Sequence, residues 1–425
     1  MAHESIIVIQ TSTIKYGFGA TREIGFEMKR LGSRHVMVVA DPNLLNQDPV
    51  RITMDALHAE GIEIVLYADI HIEPTDTSFQ DAIKFTKEGK FDGYVAVGGG
   101  STIDTAKVAN LYATYPADFF AYVNPPVGEG RSIPGPLKPM IAIPTTAGTG
   151  SETTGTAIFD YQDKHVKTGI AHQALRPIMG IIDPNNTRTL PKMVAASTGF
   201  DVLCHAVESY TAIPYHKLPA PQNPGLRPPY QGANPISDVW AAKAIQMVAQ
   251  NIVQAVQDPE NDEARAEMIL ASTFAGIGFG NAGVHLPHAM SYPIAGMVWD
   301  YIPDDYNVDH PIVPHGLAVL LTSPAVFRFT ASMDPERHLY VAQLMGADVS
   351  RAREEDAGEI LATAMVDLMR KTGMPNGLRA IGYSPADIPQ MVAGTIPQQR
   401  LTKLSPRQFD ESDLTQLFLD SMAYW

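Results

Sequence analysis

An aspartate and a histidine, Asp201 and His205, stand four residues apart in a segment predicted to be helical, residues 199–208. On a helix this spacing places both side chains on one face, one turn apart. A carboxylate beside a neutral imidazole supplies two ligands for a divalent metal ion such as iron or zinc, which needs three or four. For an isolated pair, a solvated helix face or an Asp–His hydrogen bond is the commoner explanation, so further ligands must come from elsewhere in the chain.

Further histidines cluster in the second half of the chain. His285, His288, His310 and His315 are four of the 13 histidines. They follow a helical segment, where a metal site containing the first pair would find its partners. Each of them alone is more often a core or capping residue, so the sequence leaves both explanations open.

The composition is that of a globular protein with a large core. Hydrophobic residues make up 45% and charged residues 18% of the 425 positions, and this length favours two domains over one. The net charge of -15 and the lack of a basic run argue against nucleic acid or an anionic membrane as the main partner. The single cysteine, Cys204, excludes an intrachain disulfide framework and favours a reducing compartment.

No apolar stretch approaches the length of a membrane-spanning helix, and the N-terminal residues lack the basic and apolar regions of a signal peptide. We therefore expect a soluble protein, cytoplasmic if the chain is bacterial and in the mitochondrial matrix if it is a processed eukaryotic chain. We also expect a homo-oligomer, either a dimer or a larger assembly.

The first part of the chain alternates between short apolar runs and helical patterns. Strands are predicted at residues 35–40, 62–67 and 93–97, and helices at residues 51–60 and 77–88. Such β-α-β units imply an α/β domain with a Rossmann-like parallel sheet covered by helices on both faces.

Apolar runs at residues 157–159 and 180–182 add strands and a hairpin to this domain, which is predicted to span residues 1–190. Beyond that point helical patterns replace strand patterns. Residues 191–425 are therefore predicted to form a second, mainly helical domain.

A glycine-rich loop follows the strand at residues 93–97. Gly98, Gly99, Gly100 and Ser101 lie between that strand and a predicted helix. A strand end, glycines without Cβ atoms and a helix N-terminus bring backbone N–H groups to one point, which suits a diphosphate. A tight strand-to-helix turn without a ligand is an equal alternative.

A second loop favours a nucleotide site over a turn without a ligand. The strand at residues 140–143 leads into residues 144–152, which are rich in threonine, serine and glycine. Ligands of open parallel sheets bind beyond the carboxyl ends of the strands, so both loops can line one site.

Three other features bear on a nucleotide site. Asp41 can accept hydrogen bonds from ribose hydroxyls and repel a 2′-phosphate, which favours NAD over NADP, although it precedes Pro42 and also suits a turn. Lys167 either faces a phosphate or is solvated.

The G-x-G-x-x-G at residues 278–283 follows a helical run instead of a strand, so we interpret it as a close helix contact or a helix end.

A proline-rich stretch, residues 216–235, cannot form a regular helix. It is either a surface loop or subunit contact, or a lid that brings Arg227 over a substrate carboxylate. The sequence leaves these alternatives open.

Four motifs occur in order: Gly-Gly-Gly-Ser-x-x-Asp-x-x-Lys at residues 98–107, Pro-Thr-Thr-x-Gly-Thr-Gly-Ser-Glu at 144–152, Thr-Gly-x-Asp-x-x-x-His-x-x-Glu at 198–208, and Pro-His-Gly at 314–316. Together they resemble the iron-containing (group III) alcohol dehydrogenases over nearly the full chain. The segments at residues 200–206, 230–238 and 305–311 are similar to the hydroxyacid-oxoacid transhydrogenase branch of that family.

The resemblance implies a dinucleotide-binding α/β domain, a helical metal-binding domain, and a cleft between them that holds NAD and one divalent ion. The ion would be Fe²⁺ or, as the second choice, Zn²⁺. Matched position by position, its ligands would be Asp201, His205, His288 and His315. The remaining histidines, His285 and His310, are not ligand positions in that pattern. The residues expected to contact the cofactor are Asp41, Gly98, Gly99, Gly100, Ser101, Asp104, Thr145, Thr146, Thr149, Ser151 and Lys167.

The reaction implied by this branch is oxidation of 4-hydroxybutyrate to succinate semialdehyde coupled to reduction of 2-oxoglutarate to 2-hydroxyglutarate, with an NAD that stays bound. Many family members carry a histidine four residues after the third ligand, where this chain has Tyr292, so Tyr292 is a catalytic candidate that either replaces this histidine or only packs there. Arg227 is the candidate for binding the substrate carboxylate, since both substrates are acids. The alternatives are an NAD-dependent alcohol dehydrogenase that releases NADH at each turnover, and a non-catalytic nucleotide- or metal-binding protein.

Overall fold

The chain folds into two compact units. The computed structural model describes residues 3–164, 166–308 and 310–425. The sheet unit comprises residues 10–190, and the helical unit comprises residues 191–425 together with residues 3–9.

Residues 3–9 belong to the helical unit, whereas the sequence analysis placed them in the first domain. The backbone N–H of Glu4 donates to Leu218 O, and that of Val8 donates to Gln231 Oε1, both over 2.9 Å. Because an extended segment must find partners for its backbone groups, these hydrogen bonds decide which unit it joins.

Six parallel strands form the main sheet of the sheet unit. They are β1 (Thr13–Tyr16), β2 (His35–Ala40), β3 (Glu63–Tyr67), β4 (Gly93–Gly98), β5 (Met140–Pro144) and β8 (Met179–Ile182). Their order in the sheet is β1-β8-β5-β4-β2-β3. Two further strands, β6 (Thr156–Tyr161) and β7 (Val166–Ala171), form an antiparallel hairpin. This arrangement confirms the predicted parallel sheet, while β1, a partly exposed edge strand, has no counterpart in the sequence prediction.

Helices cover both faces of this sheet. They are α1 (Ile24–Arg30), α2 (Asp48–Ala59), α3 (Asp76–Gly89) and α4 (Gly100–Thr114). Successive side chains of β2 point to opposite faces. Val36 lies in one core cluster with Ile24 of α1, whereas Met37 and Val39 lie in another with Ala106 of α4. Each large apolar side chain buried in this way stabilises the fold by about 1.5–3 kcal/mol. Because both faces of β2 are buried, apolar residues are favoured at every position, and the strand is a continuous apolar run.

The helical unit contains no strand of either sheet among its described residues. Its helices are α5 (Lys192–Thr211), α6 (Pro235–Gln257), α7 (Asp262–Ala282), α8 (Leu286–Gly296), α9 (His315–Leu320), α10 (Ser323–Thr330), α11 (Pro335–Leu344), α12 (Ala357–Thr372), α13 (Ile388–Thr395), α14 (Gln399–Thr402) and α15 (Glu411–Asp420). This composition confirms the predicted mainly helical architecture of the second half of the chain.

The G-x-G-x-x-G match lies at the end of α7 and makes a helix contact. A Cβ atom added at Gly278 would stand 3.4 Å from Ala241 N and from Ser237 O in α6. The small residue therefore lets α6 and α7 approach closely. The helix ends at Gly283, whose φ of 96° favours glycine.

No single helix in the described part of the chain is long and apolar enough to cross a membrane. Only α7 and α8 counted together, across a bend of 106°, reach that length and composition.

Candidate metal centre and nucleotide loops

Helix α5 presents three metal-relevant side chains on one buried face. Asp201, His205 and Glu208 follow one another at spacings of four and three residues, which brings them to the same side of the helix. All three are buried. Because water cannot solvate them there, their charges and lone pairs must be satisfied by partners inside the protein.

Gly316 allows a further donor to reach this face. It follows His315 at the start of α9, and a Cβ atom added to it would lie 2.1 Å from Ser197 O of α5. That distance is far inside van der Waals contact with a backbone atom. The glycine therefore permits the close approach that places His315 beside Asp201.

Four donors meet at this place: Asp201, His205, His288 and His315 offer ligand atoms that all lie within 4.8 Å of one another. From Asp201 Oδ1 the distances are 3.7 Å to His205 Nδ1, 3.8 Å to His288 Nε2 and 4.0 Å to His315 Nε2. Ligands at about 2.0–2.2 Å from a tetrahedral ion stand about 3.4 Å apart. The cluster is slightly wider than that and closes on an ion with small side-chain shifts.

The cluster also leaves buried nitrogen atoms that an ion would satisfy. His205 Nδ1 and His288 Nε2 are buried and have no hydrogen-bond partner among the described residues. Each such atom costs about 1–3 kcal/mol when left unsatisfied. Burial, with the neighbouring His288 and His315, lowers the pKa of His205 well below its usual range. Burial and then the positive charge of Arg400 lower the pKa of His288 to about 3. Both imidazoles are therefore neutral, and one carboxylate with three neutral imidazoles fits Fe²⁺ or Zn²⁺.

Glu208 holds His288 in the orientation that a metal ligand needs. His288 Nδ1 donates to Glu208 Oε1 over 2.5 Å, and the backbone N–H of His285 donates to Glu208 Oε2 over 2.7 Å. The proton on Nδ1 leaves the lone pair on Nε2, which faces Asp201. Burial raises the pKa of Glu208 to about 7. Glu208 has no role in the sequence prediction, although its place one turn after His205 on the same helix face is a usable signal.

The other two histidines of the sequence cluster, His285 and His310, lie outside the group of four donors. His285 is buried, and its Nε2 lies 3.1 Å from Thr211 Oγ1. It therefore packs beside Glu208 as a neighbour of the cluster.

The two predicted nucleotide loops begin side by side in the sheet unit. Strand β4 ends at Gly98, which pairs with Pro144 at the end of β5, and Thr145 N donates to Gly98 O over 3.1 Å. Parallel neighbours end at the same edge of the sheet, so both loops leave from one edge. Helix α4 begins at Gly100 and points its N-terminus, with its positive dipole end, to this place.

Glycine is required where these loops touch. A Cβ atom at Gly99 would stand 3.2 Å from Thr146 Cγ2, and one at Gly100 would stand 2.6 Å from Thr149 Cγ2. Gly99 is therefore in contact with Thr146, and Gly100 with Thr149. All four residues are predicted to contact the cofactor. Because glycine has no Cβ atom, these positions leave room for the threonine side chains as well as for a ligand.

Comparison with known proteins decides the family. Residues 11–184 match the family described as "Iron-containing alcohol dehydrogenase", and residues 230–422 match "Fe-containing alcohol dehydrogenase family, C-terminal". The chain belongs to the iron-containing alcohol dehydrogenase family. It is therefore an oxidoreductase, and the resemblance inferred from the four motifs is confirmed.

Its relatives within the family include mitochondrial hydroxyacid-oxoacid transhydrogenases. Those from Bos taurus and Homo sapiens are 56% and 55% identical to it over 416 residues, which cover 97% of this chain and 89% of each relative. A solved structure of 1,3-propanediol oxidoreductase and one of an alcohol dehydrogenase from Oenococcus oeni have TM-scores of 0.86 and 0.85 at 28% and 27% identity. Each comparison covers 98% of this chain and 100% of the other.

In this iron-containing alcohol dehydrogenase, Tyr292 lies beside the donor cluster. It follows His288 by one turn of α8 and is buried, with its ring centre 6.4 Å from that of His315. Its hydroxyl is 3.5 Å from Arg400 Nη2. The catalytic candidate from the sequence thus stands near the metal ligands, in contact with an arginine that the sequence analysis did not single out.

Arg227, the predicted partner of a substrate carboxylate, has a different partner in the structure. Its Nε lies 3.1 Å and its Nη2 3.4 Å from the two carboxylate oxygens of Glu4, and both side chains are mostly buried. The proline-rich stretch around it contains only short turns of 3-10 helix, at Tyr215–Lys217 and Pro224–Leu226. Arg227 thus forms an internal ion pair that fastens this stretch to the N-terminal segment, and its contact with a substrate carboxylate stays a prediction.

Asp104 and Ser151, two predicted cofactor contacts, belong to a buried network around Lys107. Ser151 Oγ donates to Asp104 Oδ1 over 2.5 Å, and Lys107 Nζ lies 2.5 Å from Ser151 Oγ and 3.3 Å from Asp104 Oδ1. Asp104 Oδ2 also accepts from the backbone N–H of Ile158 over 3.0 Å. These side chains fasten the second loop and β6 to helix α4, and their direct contact with a cofactor stays a prediction.

Lys167 is buried and paired with two carboxylates. Its Nζ lies 2.6 Å from Glu73 Oε2 and 3.2 Å from Asp160 Oδ2. Burial lowers the pKa of Lys167, but the carboxylates of Asp160 and Glu73 raise it by more, so it remains charged. Lys167 is therefore not a solvated lysine, and its contact with a phosphate stays a prediction.

The remaining predicted cofactor residues occupy the strand ends. Asp41 follows β2, and its carboxylate accepts from the backbone N–H of Asn43 over 2.8 Å, which caps a short turn. Ser101 Oγ, in the first turn of α4, accepts from the backbone N–H of Glu73 over 3.2 Å. Asp41 thus fills the turn role that the sequence offered as its alternative, and a ribose contact stays a prediction.

Proposed function

We propose that this enzyme is a hydroxyacid-oxoacid transhydrogenase. It would oxidise 4-hydroxybutyrate to succinate semialdehyde and reduce 2-oxoglutarate to 2-hydroxyglutarate. The observation that carries this proposal is the complete four-donor cluster, in a chain more than half identical to proteins of that name. The alcohol loses one hydride and one proton, and the oxoacid gains one of each, so the two half-reactions balance without an external oxidant.

The residues of the donor cluster fit one divalent ion, and we propose Fe²⁺ with Zn²⁺ as the second candidate. When bound, such an ion supplies a Lewis acid for the substrate oxygen. Asp201 provides the negative charge of the cluster, and the three histidines provide neutral nitrogen atoms. Glu208 keeps the proton of His288 on Nδ1, which holds Nε2 ready as a ligand atom.

NAD is the cofactor that we propose, and it supplies the hydride acceptor and donor. The adjoining glycine and threonine loops at the ends of β4 and β5 support this, because their backbone N–H groups and the N-terminus of α4 suit a diphosphate. A related structure of sulfoacetaldehyde reductase from Bifidobacterium kashiwanohense, 25% identical with a TM-score of 0.80, is a complex with NAD⁺. Asp41 at the end of β2 would favour NAD over NADP.

An isotope experiment tests the proposal. Purified enzyme is incubated with 4-hydroxybutyrate deuterated at carbon 4 and with 2-oxoglutarate, without added NAD and with a large excess of unlabelled NADH in a parallel sample. We expect deuterium at carbon 2 of 2-hydroxyglutarate in both samples, because a retained cofactor does not mix with the free pool.

The alternative is an alcohol dehydrogenase that releases NADH at each turnover. It would need added NAD, and the excess unlabelled NADH would dilute the deuterium in the product. Absence of 2-hydroxyglutarate under all conditions, with metal restored as Fe²⁺ or Zn²⁺, would contradict both forms of the proposal.

Location and assembly stay predictions. The relatives from Bos taurus and Homo sapiens are named as mitochondrial, and we propose the mitochondrial matrix for this chain if its source is eukaryotic. The predicted homo-oligomer is checked by light scattering of the purified protein.

A further inference from the structure

Arg400 is a partly buried cation without an acidic partner. It lies in the short helix α14, with its guanidinium carbon 5.0 Å from the ring centre of Tyr230 and its Nη2 3.5 Å from the hydroxyl of Tyr292. Its other terminal nitrogen, Nη1, is buried and has no hydrogen-bond partner among the described residues. No carboxylate in the described part of the chain forms an ion pair with it.

Three other arginines of the helical unit are each paired with a carboxylate, whereas Arg265 and Arg407 donate to the backbone carbonyls of Pro259 and Phe329. The pairs are Arg227 with Glu4 at 3.1 Å, Arg337 with Asp238 at 2.7 Å, and Arg328 with Glu359 at 2.6 Å. An arginine is charged at every physiological pH, and a desolvated charge without a counter-ion is strongly unfavourable. We therefore expect Arg400 to bind an anion that the described part of the chain does not supply.

The position of Arg400 relative to the donor cluster indicates which anion this is. Tyr292, which Arg400 contacts, lies one turn after the metal ligand His288 and has its ring 6.4 Å from that of His315. An anion bound to Arg400 and Tyr292 would therefore be close to the four donors. A small hydroxyacid whose hydroxyl faces the donors can reach this place with its carboxylate.

The two hydroxyacids of the proposed reaction share one spacing. In 4-hydroxybutyrate, three carbon–carbon bonds separate the carbon that bears the hydroxyl from the carboxylate carbon. In 2-hydroxyglutarate, three bonds also separate carbon 2 from the distal carboxylate. A single cation at a fixed distance from the donors can therefore position the reacting carbon in both half-reactions.

We propose that Arg400 binds this shared distal carboxylate, with the Tyr292 hydroxyl as a second donor, and thereby selects hydroxyacids over neutral alcohols. The inference rests on the proposed transhydrogenase function. It replaces the role that the sequence analysis gave to Arg227.

Two variants of the holoenzyme, Arg400→Met and Arg400→Lys, test the inference with propanal, an uncharged hydride acceptor, in place of 2-oxoglutarate. The substrates are 4-hydroxybutyrate and 1-butanol, which has a methyl group in place of the carboxylate. Losing one partner of a desolvated charge pair typically weakens binding strongly, so we expect Arg400→Met to lower kcat/KM for the acid about 100-fold or more. The value for 1-butanol should change less than about threefold, and Arg400→Lys should recover part of the loss because it keeps the charge without the planar fork.

A chain-length series gives a second readout. The wild type should prefer 4-hydroxybutyrate over 3-hydroxypropionate and 5-hydroxyvalerate, and Arg400→Met should lose this preference. Calorimetric binding of glutarate, which lacks a hydroxyl group, should weaken in the variant by a factor similar to the loss of activity. The control is Arg328→Met, whose guanidinium is held by Glu359 and which should leave the ratio of acid to butanol activity unchanged.

Equal losses for acid and alcohol, with metal content and circular dichroism unchanged, would overturn the inference. So would wild-type activity of Arg400→Met on 4-hydroxybutyrate. If Arg400→Met does not fold, the same activities and the chain-length series are measured with Arg400→Gln, which removes the charge but keeps a polar group, and an unchanged preference there also contradicts the proposal. Failure of the transhydrogenase function itself would appear separately, as absence of deuterium transfer to 2-oxoglutarate by the wild type.

Discussion

His288 Nδ1 and Glu208 Oε1 lie 2.5 Å apart, and this contact fixes which nitrogen of the imidazole is free to bind metal. Glu208 receives a second hydrogen bond from the backbone of His285. Both carboxylate oxygens of Glu208 therefore accept a hydrogen bond. Glu208 is not one of the four donors, but it orients His288, which is one of them.

Glu208→Gln should weaken metal binding by about 10- to 100-fold, the usual effect of losing a partner of a metal-bound histidine. The two donors approach different oxygens of Glu208, and in glutamine one of these atoms becomes an NH2 group, which cannot accept a hydrogen bond. Metal affinity is measured by competition with a chelator and by metal analysis of the isolated protein. Glu359→Gln, which alters a surface pair with Arg328, is the control. Equal affinity of Glu208→Gln and wild type would contradict the positioning role.

Asp201→Asn should weaken metal binding more than it disturbs folding. The substitution keeps the size of the side chain and removes the one carboxylate among the four donors. We expect loss of metal and activity with nearly native circular dichroism, and a lower thermal midpoint where the bound ion stabilises the fold. Retained metal and activity in this variant would count against the whole donor assignment.

Gly316→Ala should lower stability and metal affinity together. The added Cβ atom would lie 2.1 Å from Ser197 O and 2.7 Å from Asp201 Cβ, so α9 must move away from α5 and carry His315 with it. Overpacking of this kind costs about 1–3 kcal/mol of unfolding free energy. Gly225→Ala is the control, since its added Cβ would meet only Asn223 Oδ1 at 3.4 Å. Denaturant titration of both variants, with metal analysis, checks the prediction.

Gly100→Ala should weaken NAD binding while leaving the metal centre intact. Its Cβ atom would lie 2.6 Å from Thr149 Cγ2, which pushes the two loops apart at the N-terminus of α4. We expect less NAD in the isolated protein and a dissociation constant for NAD that is higher by about tenfold or more. Unchanged NAD content would show that these loops do not form the nucleotide site.

Much of the fold could be predicted because it depends on short-range patterns. The run His35–Ala40 is apolar on both faces, so it could be recognised as a buried strand without knowledge of its neighbours. The edge strand Thr13–Tyr16 is partly exposed and lacks that pattern, which explains why it was missed. Asp201 and His205 could be paired because one helical turn sets their separation.

Partners that are distant in the chain could not be read from such patterns. Lys167 finds Glu73, and Arg227 finds Glu4, only after segments far apart in sequence have packed. A charged residue looks the same in a sequence whether it faces water, a carboxylate or a substrate.

Local patterns in the sequence were enough to predict most of the strands and helices, the family, and the residue types of the donor cluster, because periodicity and motif spacing are local properties. Only the tertiary structure decided which arginine is paired and which is not. That choice separates Arg227, which Glu4 holds, from Arg400, which stands beside Tyr292 without a carboxylate in the described chain. Its physical reason is that the free energy of a charge depends on every group packed around it, and those groups come together only when the chain folds.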